Sequence, residues 1–183
     1  VGVDIWGGKI TAKNTSSGFV ICSGGNNDIV IKNEADITIE SGISGVQAAN
    51  ASVNIGDSAK LKIQNVTRNP RTCGGLNVSG KALLDILSNE GGISAATLPS
   101  KISDNAEVII KINNIKNFSK HVFSFGSTLD ITDNAKVNAE ALAGGDKVDG
   151  FKSYFGTLNI SGNANISVKG TKNAVYAKLN MSG

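Results

Sequence analysis

Leu129–Ala139 reads LDITDNAKVNA and Leu158–Val168 reads LNISGNANISV. Both follow one frame: apolar, any, apolar, any, Asp/Asn/Gly, any, Ala, any, apolar, any, apolar-or-small. The frame recurs in IVIKNEADITI (Ile29–Ile39), VNIGDSAKLKI (Val53–Ile63), LNVSGKALLDI (Leu76–Ile86) and SKISDNAEVII (Ser100–Ile110), where Ser takes the first place. The anchor alanines are Ala35, Ala59, Ala82, Ala106, Ala135 and Ala164, spaced 24, 23, 24, 29 and 29 residues apart. Self-similarity at a period of this size signals a stacked repeat architecture. A shorter variant, VDIWGGKITA (Val3–Ala12), opens the chain, and LNMSG (Leu179–Gly183) begins a further unit.

Alternation on either side of a short corner predicts two strands whose alternate side chains face one interior, with Asp, Asn or Gly supplying the corner backbone. A third short apolar segment follows in most units, such as GVQAA (Gly45–Ala49), HVFSF (His121–Phe125) and GFKSYF (Gly150–Phe155). Three strands then make one coil. A single coil cannot bury its inner face, but coils stacked at about 4.8 Å pair every strand in parallel with its copies. Inward positions are rich in β-branched residues, among them Ile31, Val53, Ile55, Ile131 and Ile166, which suits a parallel sheet. The expected fold is all-β, a right-handed parallel β-helix of about seven coils of 23–29 residues, forming one domain over 1–183. An antiparallel sandwich would not require the same residue type at the same place in every unit.

VDIWGGKITAKN, LNISGNANISVKG and LNVSGKALLDI resemble the coil motifs of right-handed parallel β-helix proteins of bacterial surfaces. The resemblance covers essentially the whole chain. It implies an extracellular setting, secreted or at the cell surface, and a carbohydrate-binding or adhesin role, in some members with calcium. Because the repeat is cut at both ends, the expectation is a segment of a longer chain with flanking domains.

Composition narrows the classes. The formal net charge is +3 and the lysines are scattered, so the electrostatic footprint of a nucleic-acid binder is missing. No apolar run reaches the roughly 18 residues of a membrane span. Cys22 and Cys73 are compatible with one disulfide or with two small buried side chains.

Coil length varies mainly between the second and third strands, at 64–72, 87–91, 113–120, 140–149 and 170–173. One-sided insertions commonly build the binding surface of a solenoid. If Val122, Ser124, Phe151 and Ser153 face inward, alternation sends Phe123, Phe125, Lys152 and Tyr154 outward. These rings suit the apolar face of a sugar, and Lys120, His121, Lys147 and Lys152 would favour an acidic one. The candidate ligand-binding residues are therefore Phe123, Phe125, Lys152, Tyr154, Lys120 and His121. The competing arrangement places the rings in the core, or under loops carrying Phe118 and Leu142. The expected partner is a polysaccharide or a host or cell-surface glycan.

Asp57, Asp104 and Asp133 share a corner position. Asp104 and Asp133 fall in neighbouring coils, where carboxylates about 5 Å apart repel unless screened or bridged. Calcium is one bridge, which makes these two the candidate metal ligands. The alternative is turn geometry alone, as at the equivalent Asn33, Gly80 and Gly162.

Catalysis is poorly supported. VTRNPRTC (Val66–Cys73) holds both arginines, Arg68 and Arg71, and comes near the Arg-any-Pro-any-any-Arg pattern of pectate lyases, but Cys73 stands where the last arginine belongs. Asp130 with Asp133, and Asp146 with Asp149, are carboxylate pairs in turns, short of the roughly 5–9 Å arrangement across a sugar that glycoside hydrolysis needs. His121 has no Ser or Cys partner and reads as a surface histidine. Sequons such as Asn14, Asn65, Asn117 and Asn159 are frequent because the repeat is rich in Asn and Ser. The alternatives to a binding module are a spacer or stalk solenoid and, after it, a β-helix lyase or hydrolase.

Overall fold

The computed structural model describes residues 2–14, 18–42, 44–67, 71–113, 120–142 and 147–183. Every strand pairing among them is parallel, between a strand and its copy one coil away. The chain is an all-β parallel solenoid of three faces. The second face is a seven-stranded sheet running from Lys9–Lys13 to Asn165–Lys169, which makes six full turns between its first and last strands. The first and third faces form one eleven-stranded sheet, because strands such as Val46–Ile55, Arg71–Val78 and Asp149–Ser161 run on round the corner that joins them.

The repeat frame maps directly onto the corner between the first and second faces. Asn33, Asp57, Gly80, Asp104, Asp133 and Gly162 all have positive φ, between 56° and 70°. Only Gly, Asn and Asp enter this left-handed region at low cost, so the choice at this position is a backbone requirement. The corners at Ala35, Ala59, Ala82, Ala106 and Ala135 close with a bond from the alanine's amide, as in Ala59 N to Gly56 O at 3.1 Å and Ala106 N to Ser103 O at 3.2 Å. Ala35, Ala59, Ala82, Ala106 and Ala135 are fully buried, and their carbonyls accept from the next coil, as in Leu83 N to Ala59 O at 2.9 Å. A larger side chain would have to displace the neighbouring coil.

Inside, like residues stack. Ile39, Ile63, Ile86 and Ile110 form one column on the second face, all fully buried. The single polar residue in the first-face column, Ser100, is satisfied by accepting from Leu76 N at 2.9 Å. The core thins at both ends: Ile10 is exposed at one, Leu179 and Met181 at the other. Outside, asparagines form ladders, with Asn77 Nδ2 donating to Asn54 Oδ1 at 2.8 Å and Asn180 Nδ2 to Asn159 Oδ1 at 3.0 Å. On the second face opposite charges alternate from coil to coil, as in Lys9–Asp36–Lys60 and Lys111–Glu140–Lys169. The last pair closes at 2.9 Å.

Cys22 and Cys73 are not joined in a disulfide. Cys73 is buried in the third-face column and donates to Gly75 O at 2.8 Å, whereas Cys22 is exposed on the outward column. Neither a disulfide nor a pair of buried thiols describes them.

Candidate functional site

The third face departs most from the repeat. Phe123 and Phe125 point inward, with 0% and 3% exposure, which corrects the expected outward strip. Pairing explains the reversal: Phe123 stacks on Ile93 and Phe151, and Phe125 on Ala95, all core positions. Alternation counted from Val122 fails because Val122 and Phe123 are both buried as the chain enters the strand. Phe123 meets Phe151 and Phe125 edge to face, at 5.7 and 6.2 Å between centroids. These two phenylalanines hold the wall up from behind; they do not offer free faces to a ligand.

The outward column of this face includes Cys22 and Gln47 towards one end and Ser94, Ser124, Lys152 and Tyr176 towards the other. Beside it lies a groove of about 310 Å³, lined by Ser94 and Ala96 of one coil, His121, Ser124, Phe125 and Gly126 of the next, and Lys152, Ser153, Tyr154 and Phe155 of the third. Tyr154 and Phe155 sit at a register shift between Lys152 and Thr157, where extra residues push the corner out from the stack. They are 69% and 95% exposed. Ser153 secures the bulge by accepting from Gly156 N at 2.7 Å. The corners behind it are so close that a Cβ at Gly126 would lie 1.8 Å from Ala96 O, and one at Gly156 equally near Ser127 O. Glycine is needed at both for close backbone approach.

The rings are braced. Tyr176 meets Tyr154 edge to face at 5.7 Å, and Lys152 Nζ lies 5.0 Å from the Tyr154 ring centre. Lys152 Nζ is also 3.6 Å from Asp149 Oδ2, with the lysine side chain 17% exposed and the carboxylate almost wholly covered. Asp149 further accepts from Asn173 Nδ2 at 2.7 Å. The Tyr154 hydroxyl and, after it, Asp149 hold the Lys152 pKa above the ordinary lysine value despite partial burial. His121 is half-buried, which corrects its reading as a surface residue. Burial first, and the Lys152 charge second, lower its pKa to about 4, against a smaller opposing effect of Asp149. At neutral pH its imidazole is uncharged and presents one donor and one acceptor. Ser124 Oγ donates to Ser94 Oγ at 3.3 Å, laying a short hydroxyl track along the floor.

Lys120 is exposed beside this site and Lys147 lies exposed beyond it, but neither lines the groove. Arg68, the Arg71 side chain, Asn117, Phe118 and Asp146 lie outside the described residues. Sequence reasoning missed Phe155, Tyr176 and Ser94. The available signal was the distance from the last inward residue of the third strand to the first of the next coil: Cys73 to Leu76 in one unit, Ser153 to Leu158 in another.

The corner aspartates have work in the backbone. Asp57 accepts from Asn33 N at 3.1 Å, Asp104 from Gly80 N at 2.9 Å, and Asp133 from Asp104 N at 3.2 Å and Thr132 Oγ1 at 2.7 Å. The Thr132 and Asp104 bonds hold the Asp133 carboxyl below the usual range. Each carboxylate thus caps the corner of the coil before it. This donor set does not fit calcium, which wants about six to eight oxygens. Among the described residues no three His, Cys, Asp or Glu side chains come together to hold a metal.

The carboxylates weighed for hydrolysis are likewise engaged. Asp130 accepts from Asn159 Nδ2 at 2.6 Å, and Asp149 is tied to Lys152 and Asn173. A wider depression of about 450 Å³ on the first face, bordered by Lys101, Asp130, Asn159 and Asn180, is floored by amides bonded to one another and holds no ring. Compared with protein-family models, with curated proteins and with solved structures, the chain finds no match.

Proposed function

We propose that this chain is a non-catalytic, extracellular carbohydrate-binding or adhesion module, and that its site is the third-face groove. The supporting observation is the braced ring of Tyr154, 69% exposed, beside a floor of Ser94 and Ser124 hydroxyls. A sugar presents an apolar face to a ring and hydroxyls to neutral polar groups, and a ring held in place by Tyr176 and Lys152 loses little freedom on binding. The partner in this reading is a polysaccharide or a cell-surface glycan. The groove's titratable groups are His121, a weak base with its pKa lowered to about 4, Lys152, already paired with a carboxylate, and the Tyr154 phenol, a poor basis for acid–base chemistry.

The test is a glycan array with the wild-type chain and a Tyr154→Ala/Phe155→Ala double variant, in calcium and in chelator. Saturable binding that the double variant loses and chelator leaves intact supports the reading. Silence across the array overturns it and leaves the spacer solenoid ahead. The spacer has its own support in the asparagine ladders and alternating charges, which tie coil to coil along the rod without reference to any ligand.

A further inference from the structure

Lysines beside exposed rings point, on sequence alone, to an acidic ligand; the geometry around Lys152 points the other way. We propose that the groove selects neutral sugars and discriminates against uronates, with the Lys152–Asp149 pair acting as a closed, neutral unit that holds the Tyr154 ring. The inference rests on the carbohydrate reading above and names the ligand class of that same site.

Lys152 is the only cation lining the groove among the described residues. Its side chain is 17% exposed and its Nζ lies 3.6 Å from the Asp149 carboxylate and 5.0 Å from the Tyr154 ring centre, so its charge is already matched. An incoming carboxylate would have to displace Asp149, which Asn173 Nδ2 fixes at 2.7 Å, or lie beside it as a like charge. Either arrangement is unfavourable, because a carboxylate taken from water without a partner keeps its full desolvation cost. The other polar groups lining the groove, Ser94, Ser124, the Tyr154 hydroxyl, a Ser153 engaged with Gly156 N and a His121 held neutral by its surroundings, match hydroxyls better than anions. Ala96 and Phe155 complete an apolar wall, with Phe125 packed behind it. Lys120, beyond the groove, is exposed and screened at physiological salt.

Titration calorimetry with neutral cello-, manno- and galacto-oligosaccharides, against galacturonate and guluronate oligosaccharides of equal length, tests this at low salt and at about 0.2 M NaCl. The expected result is a neutral ligand bound at least about tenfold more tightly than any uronate, with an affinity that salt does not change. Asp149→Asn unmatches Lys152 and is expected to raise the uronate-to-neutral affinity ratio by about tenfold. Should that variant not fold, Lys152→Met replaces it: the order neutral above acidic persists, while an anion-receptor lysine would show uronate binding lost selectively. Uronates bound more tightly than neutral sugars, in a salt-sensitive way, overturn this inference alone. Binding of neither class overturns the carbohydrate reading and this inference with it.

Discussion

The second and third faces are built from the same coils and differ in what they spend their residues on. On the second face seven strands stack with one register shift among the described residues, between Gln64 and Val66, over inward columns rich in isoleucine, leucine and valine, and opposite charges meet in ladders such as Lys9–Asp36–Lys60. On the third face the strands are interrupted by register shifts, Val122 and Phe123 are buried in succession, and Tyr154 with Phe155 is pushed into solvent. Regular stacking satisfies the backbone and fills the core. It also makes adjacent coils alike, so a groove with one side unlike the other forms only where the period is broken.

The largest expected effect falls on the regular face. Ile110 is fully buried in a column with Ile86 above or below it, and Ile110→Ala should cost roughly 4 kcal/mol in urea unfolding, because the coils on either side cannot close the cavity. A loss no larger than that of Tyr154→Ala on the third face would break the contrast between the two faces.

The next effect belongs to the third face and is read by pH. The folded His121 pKa of about 4 lies below its ordinary value of 6.5, so the unfolded chain takes up the proton first as pH falls. The stability it contributes is fully present above 6.5 and is lost between 6.5 and about 4. The amount is on the order of 3 kcal/mol. Melting temperature followed across that window should drop, and His121→Gln should flatten this part of the curve. Asp133 acts at lower pH: its depressed pKa adds stability that is present above the ordinary aspartate range and vanishes as pH falls through the folded value. Asp133→Asn removes that acid limb.

Smaller is the cap at the repeat corner. Asp104 combines a φ of 60° with a bond to Gly80 N, so Asp104→Ala forfeits both and should cost about 1–2 kcal/mol. Asp104→Gly keeps the backbone conformation and should cost about half as much. Equal losses in the two variants would mean that the bond, not the conformation, accounts for the aspartate.

Smallest for stability is Tyr154→Ala, within about 0.5 kcal/mol, since the ring projects from a bulge. On the glycan array its loss should be the most damaging of these substitutions. A comparable drop in stability would assign the ring to the scaffold and sharpen the boundary between the two regions.

The repeat frame, its Asp/Asn/Gly corner and its buried alanine were legible in the amino-acid sequence because each answers a local demand: positive φ, a turn bond, and no room for a larger side chain. The parallel stack follows from them, since every unit asks for the same neighbour. Which way Phe123 and Phe125 face was not legible. Period two holds along a strand, but its phase is set by pairing with Ile93, Ala95 and Phe151 in other coils. Nor does the sequence reveal that Asp104 and Asp133 cap backbone amides one coil away, or that Lys152 is matched by Asp149. The sequence determined what each coil is. The tertiary structure decided which side chains meet between coils, because those contacts depend on register and on corner lengths that differ from unit to unit.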